Sequence, residues 1–415
     1  MAPVSSLPEP RRTTLLTGWG RTNPTRADVV APASARELGE SLADPPERGM
    51  VARGLGRSYG DAAQRAGGRV VDLTGWTDVD LNTDTGECWA RSGTSIDTLL
   101  RVLVPRGFFV PVTPGTRFVT LGGAIAADIH GKNHHRRGSF GSHVASLVLR
   151  TADGQRRLIG PNRESGLFWA TVGGMGLTGV IEEVTFQARP ITSSRLSVLA
   201  ERTANLDDSI QRLIELDREA EYTVAWLDLA TTGAGAGRSV ITSGRFARPD
   251  ELPARWAERP FAFDAGQLVD VPVTPPPVVL NPLSIRAFNE LWYRKAPKRP
   301  KQVINSIPTF FHPLDMVGSW SRIYGPRGFL QWQCVVPDTA TDVLAGIIRQ
   351  FTLTGGRSFL TVLKRLGPGN PAPLSFPAAG WTLAVDVPVG DPELPRLLDR
   401  LDEQVAEAGG RIYLA

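Results

Sequence analysis

The stretch Pro114–Gly141, PGTRFVTLGGAIAADIHGKNHHRRGSFG, sets the terms on which the rest of the chain is read. Gly122 and Gly123 open a run of small apolar residues that a backbone or a flat ligand can approach closely. His130, Lys132, His134 and His135 follow, with Arg136, Arg137 and His143 just behind, so three of the chain's five histidines fall inside it. A packed core has no need of that chemistry. A solvent loop has no need of so many small apolar residues. Together they predict a wall for a bound ligand with a titratable polar edge.

Working outward, the length of 415 residues predicts two or three domains, each able to bury a core. A hydrophobic content of 41% and a charged content of 21% are those of an ordinary globular protein. With 46 basic against 42 acidic residues the net charge is +4, and no Lys/Arg block with interleaved aromatics argues for nucleic acid. Cys88 and Cys334 are expected as two free, buried thiols. No run approaches the roughly 18 apolar residues of a membrane span. The opening MAPVSSLPEPRRTT has a basic pair but no apolar core behind it, so residues 1–14 are expected as a disordered lead-in and the protein as cytoplasmic.

Two further glycine loops flank the central stretch. A strand at 49–52 runs into Arg53–Asp61, RGLGRSYGD, whose backbone N–H groups either cradle a phosphate or make a tight turn. Its Gly54, Gly56 and Gly60 do not have the Rossmann spacing. Gly174, Gly176 and Gly179 do, but a helix-like segment precedes them, a strand follows, and Leu199 stands where an acidic residue belongs. A glycine loop against some other cofactor is the expectation there. Hydrophobic periodicity predicts helices over 33–43, 95–104, 164–171, 206–220, 339–352 and 393–408. Strands are predicted over 70–73, 87–91, 107–112, 144–151, 180–187, 223–229, 329–336, 359–364 and 381–387. Near Pro190 the glycine clusters thin out and an aromatic-rich α+β region begins, with a proline-dense surface connection over 271–282 and no internal repeat. The expectation is an α+β protein with domains at 15–190 and 191–410, and with 411–415 starting a return to the first. His130 and His134 have i, i+4 spacing, but Gly131 argues against a helix joining them and no H-E-x-x-H glutamate is present, so no metal is expected.

The three glycine segments, RGLGRSYGD, PGTRFVTLGGAIAADIHGKNHH and WATVGGMGLTG, resemble the FAD-binding fold of the vanillyl-alcohol-oxidase (PCMH) type. Within it the chain resembles the decaprenylphosphoryl-β-D-ribose 2'-oxidase family of actinobacterial arabinan synthesis. ELWYRK (Glu290 to Lys295), FHPLDM (Phe311 to Met316), YGPRGFLQWQ (Tyr324 to Gln333) and APLSFP (Ala372 to Pro377) extend the resemblance, which runs from about Leu16 to Ala415.

The resemblance implies a two-domain fold and an FAD held by Arg53, Gly54, Leu55, Gly56, Arg57, Ser58 and Tyr59 at its pyrophosphate. Gly115, Thr116, Thr120, Gly122, Gly123, Ala124, Asp128, Ile129, His130 and Gly131 would line the remainder, with Val180 and Tyr413 also touching it. His130 and Lys132 would be catalytic, and His130 the base that takes the ribose 2'-hydroxyl proton while the flavin takes the hydride. Trp226, Arg322, Gln331, Gln333 and Lys364 would bind the sugar and its phosphate, and the aromatic-rich half would receive the polyprenyl chain. A nicotinamide-dependent reductase would complete epimerisation as functional partner. The family's substrate lies at a membrane, which implies a membrane-associated or periplasmic setting against the cytoplasmic one.

Several positions depart from the family. Where relatives carry a flavin-linking histidine this chain has Arg57, which implies a non-covalent FAD. The family's active-site cysteine is Ala384, its asparagine is Thr382, and its tyrosine before H-P-L-D is Phe311, which implies a less polar pocket. Relatives continue past the position of Ala415 with a segment carrying an active-site lysine, which implies a truncated chain of impaired activity. The alternatives are an oxidase of a soluble alditol or sugar and a non-catalytic flavin-binding protein.

Overall fold

The structure is a computed structural model that describes residues 12–266, 269–275, 280–354 and 358–415. A mixed four-stranded sheet comes first, in the order Arg12–Leu16, Thr25–Val30, Arg69–Asp72, Met50–Arg53. Its first pair is antiparallel, and the other neighbours run parallel. Thr13 and Thr14 pair with Asp28 and Ala27, so ordered chain begins before residue 15, inside the stretch expected as a lead-in. Residues 1–11 lie outside the described residues. The helix Ala35–Ala43 forms as expected, with Ser34 Oγ accepting from Glu37 N–H at 3.2 Å.

An antiparallel five-stranded sheet is next along the chain, in the order Val79–Leu81, Glu87–Arg91, Val180–Gln187, Val144–Arg150, Arg156–Ile159. Leu147, Leu149, Val184 and Phe186 point one way and bury against helix Ile96–Leu103, whose Ile96, Leu99, Leu100 and Leu103 share a face. Glu182 is fully buried and is held by Arg150 at 2.6 Å and Arg156 at 2.8 Å.

After Pro190 the chain enters an antiparallel eight-stranded sheet. Its order is Lys301–Ser306, Arg195–Thr203, Ser239–Phe246, Tyr222–Leu227, Thr361–Leu366, Gly380–Pro388, Phe329–Val336, Arg411–Ile412. Helices Leu206–Glu219, Thr341–Leu353 and Leu394–Glu407 cover one face. There Leu213, Leu344, Ile347 and Leu401 pack on Trp332, Cys334, Leu363, Trp381, Leu383 and Val385. Burying each such leucine stabilises by about 1.5–3 kcal/mol. Both cysteines are free and buried.

The segment Phe311–Met316 ties the halves. His312 Nε2 meets Thr113 Oγ1 at 2.8 Å, and Asp315 accepts from Thr116 Oγ1 and Arg117 N–H, each at 2.7 Å. Arg117, itself buried, reaches Asp97 at 2.7 Å and the Ala265 carbonyl at 2.6 Å.

Several local expectations shift. The strand expected over 107–112 shrinks to Phe108–Phe109, because Pro111 and Pro114 cannot donate to a ladder. The strand expected over 359–364 lies at Thr361–Leu366. Helix Pro282–Lys295 begins at the end of the expected proline-dense connection. Pro282 suits its first turn, and Asn281 Oδ1 accepts from Leu283 N–H at 2.9 Å. Residues 276–279 of that connection lie outside the described residues.

Candidate active site between the two halves

The central stretch makes a helix that propensity would not choose. Leu121–Ala126 has six residues and two glycines, yet Thr120 caps it, its Oγ1 accepting from Gly123 N–H at 3.3 Å. Gly122 lies so close to Ser92 that a Cβ would stand 3.0 Å from the serine side chain. At Gly54 a Cβ would stand 2.1 Å from Thr120 Oγ1, so the first glycine loop abuts the cap of this helix. The third loop joins from another side, with Gly173 N–H donating to the Ile125 carbonyl at 2.9 Å and Met175 N–H to Ala126 at 2.8 Å. The three glycine segments thus converge on one short helix. A Cβ at Gly60 or Gly115 would meet no protein atom within 4 Å, so these backbones border open space. That is a cradle a dinucleotide cofactor fits.

Asp128 follows the helix with φ of 40°, a left-handed conformation costly for a non-glycine residue. Its buried carboxylate accepts from Ser139 Oγ at 2.7 Å, Gly141 N–H at 2.9 Å and Asn370 Nδ2 at 2.7 Å, and also from Ser375 Oγ. These bonds hold the turn and clip on the loop of the second half. They also use up the side chain, so Asp128 shapes the wall instead of presenting its carboxylate to a ligand.

The turn delivers His130 to the uncovered face of the eight-stranded sheet. His130 Nε2 meets Gln333 Nε2 at 2.9 Å, and Gln333 also reaches Thr382 Oγ1 at 2.9 Å. The ring lies 5.4 Å from Phe376 and 5.3 Å from Tyr413, centroid to centroid. Burial, reinforced by the charges of Lys364 and His134, holds the imidazole well below its ordinary pKa, so it is neutral near pH 7. Its Nδ1 is buried without a hydrogen-bond partner. Lys132 donates to the Phe310 carbonyl and lies 4.2 Å above that ring. Burial first and Lys364 second bring its ammonium down to about 7, and burial brings Lys364 to about 8. Both lysines are half-buried, and neither has a carboxylate partner among the described residues.

Farther along the same face, Gln331 donates to Asp386 at 2.6 Å, and the Tyr324 hydroxyl lies 3.4 Å from the other carboxylate oxygen. Asp386 is fully buried with no ion-pair partner among the described residues, and burial pushes it up to about 7. Tyr59, raised by burial and then by the Asp386 charge, joins this group to Arg57. Arg57 stacks 3.9 Å over Trp19 and borders a cavity of about 450 Å³ with Ser319, Ser321, Asp270 and Arg322.

The site therefore gathers His130, Lys132, Lys364, Gln331, Gln333, Tyr59 and Tyr413, with Arg57 and Arg322 at one end. The side chains of other expected residues bond or pack within the protein. Arg53 donates to the Ala63 and Thr17 carbonyls, at 3.0 and 2.8 Å, and Thr116 is committed to Asp315. Trp226 is on the open face, but its Nε1 donates to the Phe359 carbonyl at 2.9 Å. Val180 packs with Leu38, Leu42 and Trp76. Phe311, expected as a pocket position, is buried among Phe109, Tyr222, Phe246 and Phe310, so the absent hydroxyl leaves the core unchanged in kind and does not bear on the pocket. His134 takes the Gly367 N–H on Nδ1 at 3.1 Å, and His135 Nε2 lies 3.8 Å from Asp217, so both brace the sheet. They sit at the start of a single helical turn, His134–Arg137, that excludes His130. Asp386 and Tyr324 were not singled out as site residues. The alternation of Gln331 and Gln333 along one strand was the signal for a polar face, and it could have led to the facing strand.

Residues 27–160 match a family described as an FAD binding domain. The chain is 42% identical, over 99% of its length and 90% of the relative, to decaprenylphosphoryl-beta-D-ribose oxidase of Mycolicibacterium smegmatis. It is 39% identical, over 77% of its length and 88% of the relative, to an uncharacterised protein of Streptomyces coelicolor. Cytokinin dehydrogenase 2 of Arabidopsis thaliana is 27% identical over 39% of this chain and 33% of that one.

Proposed function

Because the chain belongs to the decaprenylphosphoryl-β-D-ribose oxidase family, we propose that it is an FAD-dependent oxidoreductase acting on the sugar CH–OH of that lipid. It oxidises the ribose 2'-hydroxyl to the 2'-keto sugar, the first half of an epimerisation that makes an arabinose donor for cell-wall arabinan. The 2'-keto product needs a reductant, and a nicotinamide-dependent reductase is the partner proposed for it.

FAD, when bound, supplies the two-electron acceptor; orientation and proton handling fall to the protein. The loop Arg53 to Tyr59, the backbone at Gly115, the helix Leu121–Ala126 and Tyr413 would hold the cofactor. Arg57, stacked on Trp19 in the place of a flavin-linking histidine, leaves the attachment non-covalent. Acid precipitation should then release the flavin into the supernatant, and flavin retained on the pellet would refute that part.

The observation that carries the substrate reading is the pair Lys132 and Lys364, two half-buried amines without a carboxylate partner among the described residues, beside the neutral His130–Gln333 pair. Two neighbouring lysines without a carboxylate partner among the described residues favour an anion, here the phosphodiester of a polyprenyl-linked sugar. Lys132, at about 7, is also matched to taking a hydroxyl proton near neutrality. His130, whose Nε2 accepts from Gln333 and whose Nδ1 therefore carries the ring proton, is placed to donate a hydrogen bond from Nδ1 to the substrate. Gln331 and Gln333 offer paired donors and acceptors for sugar hydroxyls.

His130→Ala and Lys132→Met test the assignment. Each should lower turnover by roughly 10²–10⁴-fold, the usual worth of a positioned acid or base, with flavin content nearly unchanged. Loss of flavin and activity in step would reassign these residues to the fold. Peroxide release from xylitol, with no turnover of the polyprenylphosphoryl sugar, would sink the substrate reading.

A further inference from the structure

One surface element is left over. In helix Pro282–Lys295, Leu283, Ala287 and Leu291 are spaced i, i+4, i+8 and so form a line along one side. Leu283 is 80% exposed and Leu291 69%, and beside them Phe288 and Trp292, 44% and 42% exposed, stack ring on ring at 6.2 Å. Single exposed leucines are ordinary; a contiguous aliphatic and aromatic line is not. Nor is this a loose element shedding its core. Its opposite side is fastened by buried Ile285, by Asn289 donating to Asp228 at 2.8 Å, and by the Tyr293 hydroxyl donating to the Thr203 carbonyl at 3.0 Å.

The charge beside that line is one-sided. Arg294–Lys301, RKAPKRPK, carries five basic residues and no acid. Glu290, the acid on the helix, is paired with Arg238 and Arg294 at 2.5 Å each. Lys295, Lys298, Arg299 and Lys301 are all exposed. The chain's mild net charge conceals this patch.

The helix also stands at the mouth of the site. Phe288 packs edge-on to Phe359 at 5.7 Å, Phe359 stacks on Tyr324 at 5.2 Å, and Tyr324 reaches Asp386.

We propose that the line Leu283–Ala287–Leu291, with Phe288, Trp292 and the basic stretch after it, is a docking face for an anionic lipid bilayer. The apolar line enters the boundary between headgroups and acyl chains, and the lysines and arginines meet the anionic headgroups. This deepens the reading above, because a polyprenyl-linked sugar resides in a bilayer. Docking there sets the mouth of the cleft against the surface from which the sugar phosphate is presented. Among the described residues no helix is long and apolar enough to cross a membrane, so this attachment is peripheral and reversible.

Flotation of the flavin-loaded protein with vesicles tests it. Vesicles of phosphatidylcholine mixed with phosphatidylglycerol should carry the protein up, those of phosphatidylcholine alone much less, and high salt should release it. Leu283→Ser with Leu291→Ser, and separately Lys298→Glu with Arg299→Glu, should each weaken partitioning by roughly tenfold or more. Both should keep full flavin content and wild-type turnover of a short-prenyl, water-soluble substrate. Wild-type protein that ignores both kinds of vesicle, or double variants that float as well as it does, would overturn the proposal. So would self-association that the leucine variant abolishes, which would make a second copy the occupant. Protein that floats but never oxidises the sugar supports the docking face and sinks the substrate reading; active protein that stays down does the reverse.

Discussion

Leu383 and Ala384 are neighbours on one strand and live in different worlds. Leu383 faces three helices and is fully buried in their core, with Leu363 and Val385 around it. Ala384 faces the glycine-rich half, in register with Gln333 on one side and Val362 on the other. The same division runs across the sheet: Trp332, Cys334, Trp381 and Leu363 on the helix side, Gln331, Gln333, Thr382, Lys364 and Asp386 on the other. A period of two residues lets one sheet be a hydrophobic floor and a polar working surface at once. The helix side holds the fold together. The open side holds groups that cost stability, including two lysines and a carboxyl without an ion-pair partner among the described residues.

The contrast can be broken first through the core. Leu383→Ala should lower unfolding free energy by about 2–5 kcal/mol, read from a urea midpoint, while Ala384→Ser should change it by less than about 0.5 kcal/mol. Equal costs would mean the two faces are not distinct.

Asp386→Asn probes the price the open face exacts. Its folded pKa of about 7 lies above the unfolded value near 3.8. Between those values the unfolded chain has released the proton that the folded one keeps, so wild-type stability falls as pH rises. Below pH 4 or so wild type and variant should be nearly equal, and by pH 8 the variant should be more stable by on the order of 1–3 kcal/mol. Melting curves across that range decide it; a variant less stable at pH 8 would show that the carboxylate is compensated.

The smallest effect sharpens the picture instead of testing it to destruction. Lys364→Met removes a positive charge that lowers Lys132, so the Lys132 pKa should rise from about 7. The acid limb of the kcat/KM profile should then move to higher pH, by roughly one unit or less. An unmoved limb would place the proton exchange elsewhere.

Much of this was legible in the chain. Periodicity located the strands Glu87–Arg91, Val180–Gln187 and Phe329–Val336 at their observed bounds, because a strand with one buried face writes its alternation into the sequence. The three glycine segments announced themselves by composition. Harder to see was the helix Leu121–Ala126, where a cap and a close approach to Ser92 outweigh poor propensity. The side chains of Arg53 and Asp128 are committed within the protein, to backbone carbonyls and to a left-handed turn, which nothing local in the sequence announces. Asp386 escaped because a lone Asp in a strand carries no local mark of what will neutralise it, or fail to.

The sequence by itself determined which segments alternate, where glycine permits a backbone to come close, and that histidine and lysine cluster after the small-residue run. These are local properties, set by side-chain size and period. Only the tertiary structure decided that Gln333, 203 residues from His130, meets its imidazole, that Lys364 comes close enough to bring the Lys132 ammonium down, and that Asp386 is buried with no ion-pair partner among the described residues. A pKa depends on every charge and dipole within a few ångströms and on how much water is excluded. Those neighbours come from strands far apart in the chain, so folding alone assembles them.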